Sequence, residues 1–480
     1  MTGGPVHTRA QMGALAAALA AFAAFAGLAG RSHAALPSAY GGVLRLPSAR
    51  ALAPVDPTIA STPLESTLCA AVFDGLYRVD AGGRTQPVLA ATAPDRAPGL
   101  VTIALRPGLR RHDGGSLGAR EVLASLTRAA GIPRAAWLLA AFAQRADGSL
   151  DGRVVDATHV ELRVTNDDVD PSLVLSAAPL AIAVADGRRQ PVGTGPFSVR
   201  VTAQELVLRA FQRAAEGAPL LAQIRVQAPR AREEELRAFE LGQLDASWHG
   251  TSVYGGTPVR PATSTDAPQT AVVLLVPNRA RGPLQDAGLW GLVARAIDRR
   301  RLERVGIVAS DALAPGLPAP ELPAARSASN NASLRMPVPI GDVLAERLAE
   351  ALAGVLDERG VRLRVEPLGV DRYQATVDAG AWDLRTETVV APLPGAGAIT
   401  GAALAAVGQG PAAAALVRAG GLGEPAAAAS GSRALGAIVL GRRRETLYHR
   451  ADLQGVAFDA LGRLSLADVH YARPAVRLTP

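Results

Sequence analysis

The sequence predicts an α/β protein built as more than one lobe, and three observations carry that expectation. A βαβ unit stands in the second half: residues 334–340 read as a strand, Asp342 caps a helix, and residues 361–365 form the next strand. Leu344, Leu348, Leu352 and Val355 fall on one face of that helix. Strand-like alternation and helix-like periodicity also succeed each other along the rest of the chain. Finally, 480 residues, 49% of them hydrophobic, are too apolar for disorder and too many for one small core, so two or three domains are expected.

The elements follow in order. Residues 41–46 alternate as a strand and break at Pro47. Residues 64–76 read as a helix, and 100–105 as a strand ended by Pro107-Gly108. Helical periodicity returns over 121–130, with Val122, Leu123 and Leu126 on one face, and 154–164 alternates around Val160, Leu162 and Val164. The turn Gly193-Thr194-Gly195-Pro196 leads into strands at 197–201 and 205–210. A strand at 224–226 precedes a helix at 232–241. The second half opens on the buried-strand run 271–276, followed by a helix at 289–299 and a Pro/Ala/Ser-rich loop over 312–332. Gly360 stops the helix of the βαβ unit, which points to a lobe with parallel strands. Residues 391–438 are Ala/Gly-rich with few charges, so helices there are weakly defined by pattern.

Composition excludes several functions. All 50 basic residues are arginine, and the net charge is +7, but the 43 acids are interspersed among them. With no long basic block, nucleic acid is not a leading partner. The single cysteine, Cys69, lies in an apolar run, which excludes a disulfide framework and a multi-cysteine metal cluster. His112-Asp113 has the look of a metal pair, yet the seven histidines are scattered and no converging ligand set can be drawn. No metal or other cofactor is expected. Gly193-Thr194-Gly195 lacks the Lys-Ser/Thr of a phosphate loop, and no Gly-x-Ser-x-Gly elbow exists. No catalytic residue is assigned, and an exported hydrolase is a distant alternative.

The chain opens with His7 and Arg9, runs without charge from residue 10 to 30, and then presents small residues at Ser32 and Ala34. This is the pattern of a secretory signal over residues 1–34, cleaved after Ala34. A periplasmic location follows, membrane-anchored if the segment is retained.

Several motifs, in order along the mature chain, resemble the family 5 extracellular solute-binding proteins, the oligopeptide, dipeptide and nickel receptors of ATP-driven (ABC) importers. They are residues 41–46 with Val55-Asp56-Pro57, Phe73-Asp74-Gly75-Leu76, and Leu105-Arg106-Pro107-Gly108-Leu109 leading to His112-Asp113-Gly114. Residues 117–122, Val192-Gly193-Thr194-Gly195-Pro196-Phe197, Leu241-Gly242-Gln243-Leu244-Asp245, residues 294–299, residues 447–450 and residues 456–459 complete the set. The resemblance implies a two-lobed periplasmic-binding-protein clamshell, type II-like, with an extra subdomain in the first lobe. It places lobe I at 35–270, the inserted subdomain at 60–190, lobe II at 271–444 and a return to lobe I at 445–480. It further implies a monomeric receptor that closes on a small peptide or other polar solute and delivers it to a permease in the inner membrane, with no chemistry of its own.

The same resemblance places the ligand contacts. Glu65, Ser66 and Thr67 match a segment that contacts ligand backbone, with a helical N-terminal cap as the alternative. Trp248 and Tyr254 follow the Gly-x-Leu-Asp element where family members enter the cleft, and a wide aromatic face there could stack on ligand. After Trp382-Asp383-Leu384, peptide-binding members continue with a tryptophan and an aspartate that pairs with the peptide ammonium. Those positions fall on Val389 and Pro392, so Glu387 is the candidate acid, or the ligand lacks a free amino end. That departure and the low-complexity stretch favour the alternative of a divergent, non-transport envelope binding or scaffold protein.

Overall fold

The computed structural model describes residues 40–472, apart from 49–51, 81, 186, 188–189, 203, 254–255 and 326–331. The leader expected over residues 1–34 and Tyr254 lie outside the described residues. No helix among the described residues is long and apolar enough to cross a membrane.

A first core forms around a four-stranded sheet. Val43–Pro47 runs parallel to Gln223–Gln227, which pairs antiparallel with Glu205–Ala210, and that strand with Phe197–Val201. Alternation puts Leu44, Leu46, Leu206, Leu208, Ile224 and Val226 on one face. The helix Pro63–Val72 covers that face with Leu68 and Val72, and the C-terminal stretch returns to it with Leu447, Leu464, Leu466 and Val469. The return strand Thr446–Arg450 lies between Ala246–Ser247 and Ala262–Asp266. Its anchor is Asp245, fully buried at the end of the Gly-x-Leu-Asp element. The Asp245 carboxylate accepts from the Arg45 amide at 2.9 Å and faces the guanidinium groups of Arg450 at 3.2 Å and Arg260 at 3.4 Å. An unpaired charge there would be costly, and three arginines from three segments remove that cost.

The second half has its own antiparallel sheet, in the order Ile307–Ala309, Ile438–Arg443, Val272–Pro277, Leu384–Val389. The parallel pair predicted by the βαβ unit is present as Ala332–Pro339 and Val361–Leu368, crossed by the helix Val343–Asp357. Asp342 caps that helix by accepting from the Ala345 amide at 3.1 Å, and Gly360 (φ +73°) turns the chain beyond its end. The expectation of a parallel lobe is corrected, however. The parallel pair stands as a separate two-stranded sheet, and the four-stranded sheet beside it, drawn from distant parts of the chain, is antiparallel throughout.

Three further expectations change. The helix starting near residue 64 stops at Val72 rather than residue 76, because its last carbonyl is capped from outside: Gly195 N–H donates to Val72 O at 3.0 Å. Residues 154–164 are not one strand but the hairpin Gly152–Val154 and His159–Arg163, since Asp156 turns the chain by accepting from the Thr158 and His159 amides. The helix predicted over 289–299 runs Ala287–Ala296, breaks at Ile297, and a short turn of helix, Arg299–Leu302, begins again at the Asp298 cap.

The Ala/Gly-rich stretch folds as three helices, Ala396–Ala406, Gly410–Arg418 and Pro425–Arg433. They pack on the face of the second half's sheet that carries Val272, Leu274, Val276 and Val389, not on the second core formed by Val273, Leu275, Trp290 and Leu348 on its other face. They join a third core with segments from residues 76–184, in which Trp137, Leu138 and Leu139 meet Ile399, Ala403, Leu404 and Val417. Gly401 is required at this contact, since a Cβ there would stand only 2.3 Å from the edge of the Trp137 ring.

The turn at 193–196 is fixed with similar tightness. A Cβ on Gly193 would land on the Val72 carbonyl, and one on Gly195 would sit 2.8 Å from the same peptide carbon. Replacing Gly193 with alanine is therefore expected to destabilise the protein by about 1–3 kcal/mol through overpacking against backbone. Urea unfolding checks this; an unchanged midpoint would contradict the packing described.

Candidate functional site

The N-terminus of the helix Pro63–Val72 closes as a capping box. The Glu65 amide donates to Thr62 Oγ1 at 3.2 Å, while the Glu65 carboxylate accepts from the amides of Thr62 at 3.1 Å and Ser61 at 2.8 Å. Thr67 is buried and its hydroxyl accepts from the Leu464 amide at 3.0 Å, tying the helix to the C-terminal return. Ser66 faces a cavity of about 430 Å³. This cavity lies between the helix, the start of the inserted segment, the Pro392–Pro394 bend and the loop 458–463.

Asp74, Arg78 and Asp459 are among the charged groups on its wall. The Asp74 carboxylate accepts from the Thr194 hydroxyl at 3.0 Å, but removal from water is the larger effect and pushes its pKa from 3.8 up to about 6. Arg78 is paired with Glu216, and Arg463 with Asp459. His112, the histidine of the suspected metal pair, instead donates from Nε2 to Gly195 O at 2.9 Å and meets the edge of Phe211 at 4.9 Å. It braces the 193–196 turn. No group of three or more His, Cys, Asp or Glu side chains placed to hold a metal is found among the described residues.

Glu387 lies on the strand Leu384–Val389, opposite Leu274, with a side chain only 7% exposed. Two arginines bind it: Arg385 from the same strand and Arg134 from the short helix Pro133–Ala136 of the inserted segment. Glu387 raises the Arg134 pKa most strongly among its neighbours, and Glu65 and Tyr373 raise it further. Glu65 and Glu387, picked out separately in the sequence, thus act on one guanidinium. Arg134 had no signal in the sequence, as its partner lies 253 positions away.

Trp248 stands elsewhere. Its indole N–H donates to Pro47 O at 3.1 Å and its amide to Glu235 at 2.8 Å, while its ring lines a second cavity of about 310 Å³. One wall of this cavity comes from the first core, with Arg230 and Trp248. The other comes from residues 303–306 and the start of the helix Val343–Asp357, and the segment 443–445 connecting the halves runs between them. The six proposed contacts therefore do not converge. Three sit at one helix end, Glu387 in an ion cluster nearby, Trp248 at a second junction, and Tyr254 beyond the described residues.

A two-lobed α/β chain with ligand-sized cavities where its lobes meet has the architecture of a binding protein. The model of the bacterial extracellular solute-binding proteins, family 5 (middle), matches residues 84–400, and the chain belongs to that family. Among solved structures, the murein tripeptide binding protein MppA of Escherichia coli is similar with a TM-score of 0.74 at 15% identity, covering 90% of this chain and 99% of that one. The dipeptide binding protein of Pseudoalteromonas sp. SM9913, in complex with Met-Leu, gives 0.72 at 14% identity, covering 90% and 100%. NikA from Staphylococcus aureus, in complex with Ni(L-His)2, gives 0.73 at 13% identity with the same coverage. At these identities the likeness is one of fold. No curated protein matches the chain significantly.

Two expectations follow from the geometry. Thr67→Val keeps the shape but leaves the Leu464 amide without its acceptor, so urea unfolding should show a loss of about 1–3 kcal/mol. Asp74 gives a pH signature. Because its folded pKa is raised, the folded state holds this proton while the unfolded state releases it, and stability falls as pH rises from 3.8 to about 6. Asp74→Asn should remove that slope, gaining roughly 2–3 kcal/mol over wild type at pH 7 and almost nothing at pH 3.5. Equal gains at both pH values would refute the assignment.

Proposed function

We propose that this chain is the solute-capturing component of an ATP-driven import system, exported to the periplasm, which closes its lobes around a small polar solute and presents it to an inner-membrane permease. The observation that carries the reading is the 310 Å³ cavity at the lobe junction, walled by both halves and by the connecting segment, in a chain of the solute-binding family. A site built this way changes shape when the lobes hinge, so a ligand touching both walls favours the closed state.

The solved relatives are described with a tripeptide-binding role, with a dipeptide and with a nickel–histidine complex. For this chain, the ion cluster argues against a ligand anchored by a free ammonium. Glu387 already faces two guanidinium groups, so its charge is compensated within the protein and offers little to a third cation. Catalysis has no support from the cavities described, and binding is the activity we assign.

The alternative of a non-transport scaffold is favoured by one observation. The core shared between Trp137–Leu139 and the helices Ala396–Ala406 and Gly410–Arg418 holds residues from both halves together without any ligand.

Native mass spectrometry of the protein purified from an exporting host, before and after unfolding and refolding, separates the two. The receptor reading expects a discrete small mass lost on unfolding, and X-ray scattering of the stripped protein expects a larger radius that contracts when the released fraction is returned. No released mass and an unchanged radius would favour the scaffold.

A further inference from the structure

Resting on the receptor reading, we infer that the ligand is a compact polyanion, bearing carboxylate or phosphate groups, held in the 310 Å³ cavity by arginines from both lobes. Five arginines line this cavity against three glutamates. Two of the glutamates are already engaged. Glu445 is paired with Arg443 at 2.5 Å, and Glu235 accepts from the Ser247 hydroxyl and the Trp248 amide while His249 lies 3.7 Å away. The third, Glu303, has no ion pair among the described residues and faces four arginines that have none either: Arg230, Arg304, Arg347 and Arg444. Of these, among the described residues, only Arg230 has a side-chain hydrogen bond, donated to the neutral Gln227 at 2.8 Å.

Their placement matters more than their number. Arg230 precedes the helix Arg232–Glu240 of the first half, while Arg304 and Arg347 belong to the second half. Arg444 sits on the segment that joins the two. Guanidinium groups brought together across a small cavity repel one another, and closure increases the repulsion. A bound polyanion reverses the sign of that energy, so it binds the closed state more tightly than the open one, which is what hinge closure demands. The planar fork of arginine matches carboxylate and phosphate oxygens alike, and the volume suits a small metabolite. The Trp248 ring supplies an apolar wall for its uncharged part.

Titration calorimetry of the refolded, ligand-free mature protein tests this with three probes: citrate for carboxylates, inorganic phosphate for phosphate groups, and Ala-Ala for a ligand with a free ammonium. Binding of citrate or phosphate is expected, weakening with added salt. Arg304→Gln with Arg347→Gln should weaken that binding about tenfold or more. The same charge loss at Arg120 and Arg200, both exposed and away from the cavity, should change it less than about twofold. Circular dichroism establishes that each variant is folded. Equal losses in both pairs of variants would overturn the site. Binding of Ala-Ala but neither anion would overturn the ligand class and leave the receptor reading standing. No binding of any probe would overturn the inference; if no released mass is found either, the receptor reading falls with it.

Discussion

The arrangement of the two halves depends on a buried carboxylate. Glu387 projects from a strand of the second sheet into surroundings where an isolated charge would cost several kcal/mol, and Arg385 and Arg134 together remove that cost. Arg385 is supplied locally, but Arg134 comes from the inserted segment, so satisfying the acid fixes where that segment stands. Trp137, three residues further on, then meets Gly401, and the helices that follow complete a core neither half could close alone. A charge that must be neutralised and a ring that must be packed make the same demand on the backbone. The same solution recurs at Asp245, where arginines from three segments meet a buried acid. In a chain whose basic residues are all arginine, the planar, multidentate cation repeatedly joins distant segments.

That pattern also explains what could be read from the sequence and what could not. Local features were legible because their causes are local. The helical cap read as the alternative at Glu65–Thr67, and Asp342 before an amphipathic run, place helix starts within a residue or two. The parallel pair around the helix Val343–Asp357 was legible because a βαβ unit is contiguous. The antiparallel sheet was not, since Val272–Pro277 pairs with strands more than a hundred residues away and no alternation states a partner. The helices of the Ala/Gly-rich stretch gave little periodic signal because Ala396–Ala406 is apolar nearly all round, and most of its residues are buried.

The site divides along the same line. Glu65 was recognisable as either a ligand contact or a cap, and its hydrogen bonds are those of a cap. Glu387 was recognisable as an acid needing a cation; that the cation is Arg134 could not be read, because nothing near Arg134 in the sequence refers to it. The arginine-lined cavity left a trace in the sequence, the triplets Arg299-Arg300-Arg301 and Arg442-Arg443-Arg444. Only the fold brings Arg444, the end of one triplet, and Arg304, three residues beyond the other, beside Arg230 and Arg347.

These arrangements give the two lobe junctions opposite electrostatic characters. At Glu387 the charges are complementary within the protein, and the ion pair holds the inserted segment against the second sheet. At Trp248 the positive charges are in excess, and the lobes meet there with repulsion that internal pairing does not relieve. A clamshell that is joined at one edge and self-repelling at another can separate at the second edge while the first stays shut. On the proposed receptor reading, hinge motion would be confined to the walls around Trp248, Arg304 and Arg347, with the 443–445 segment as the part of the chain that bends. On that same reading a ligand would supply only the energy that closes that one edge, since the opposite junction is held by the protein's own charges and packing.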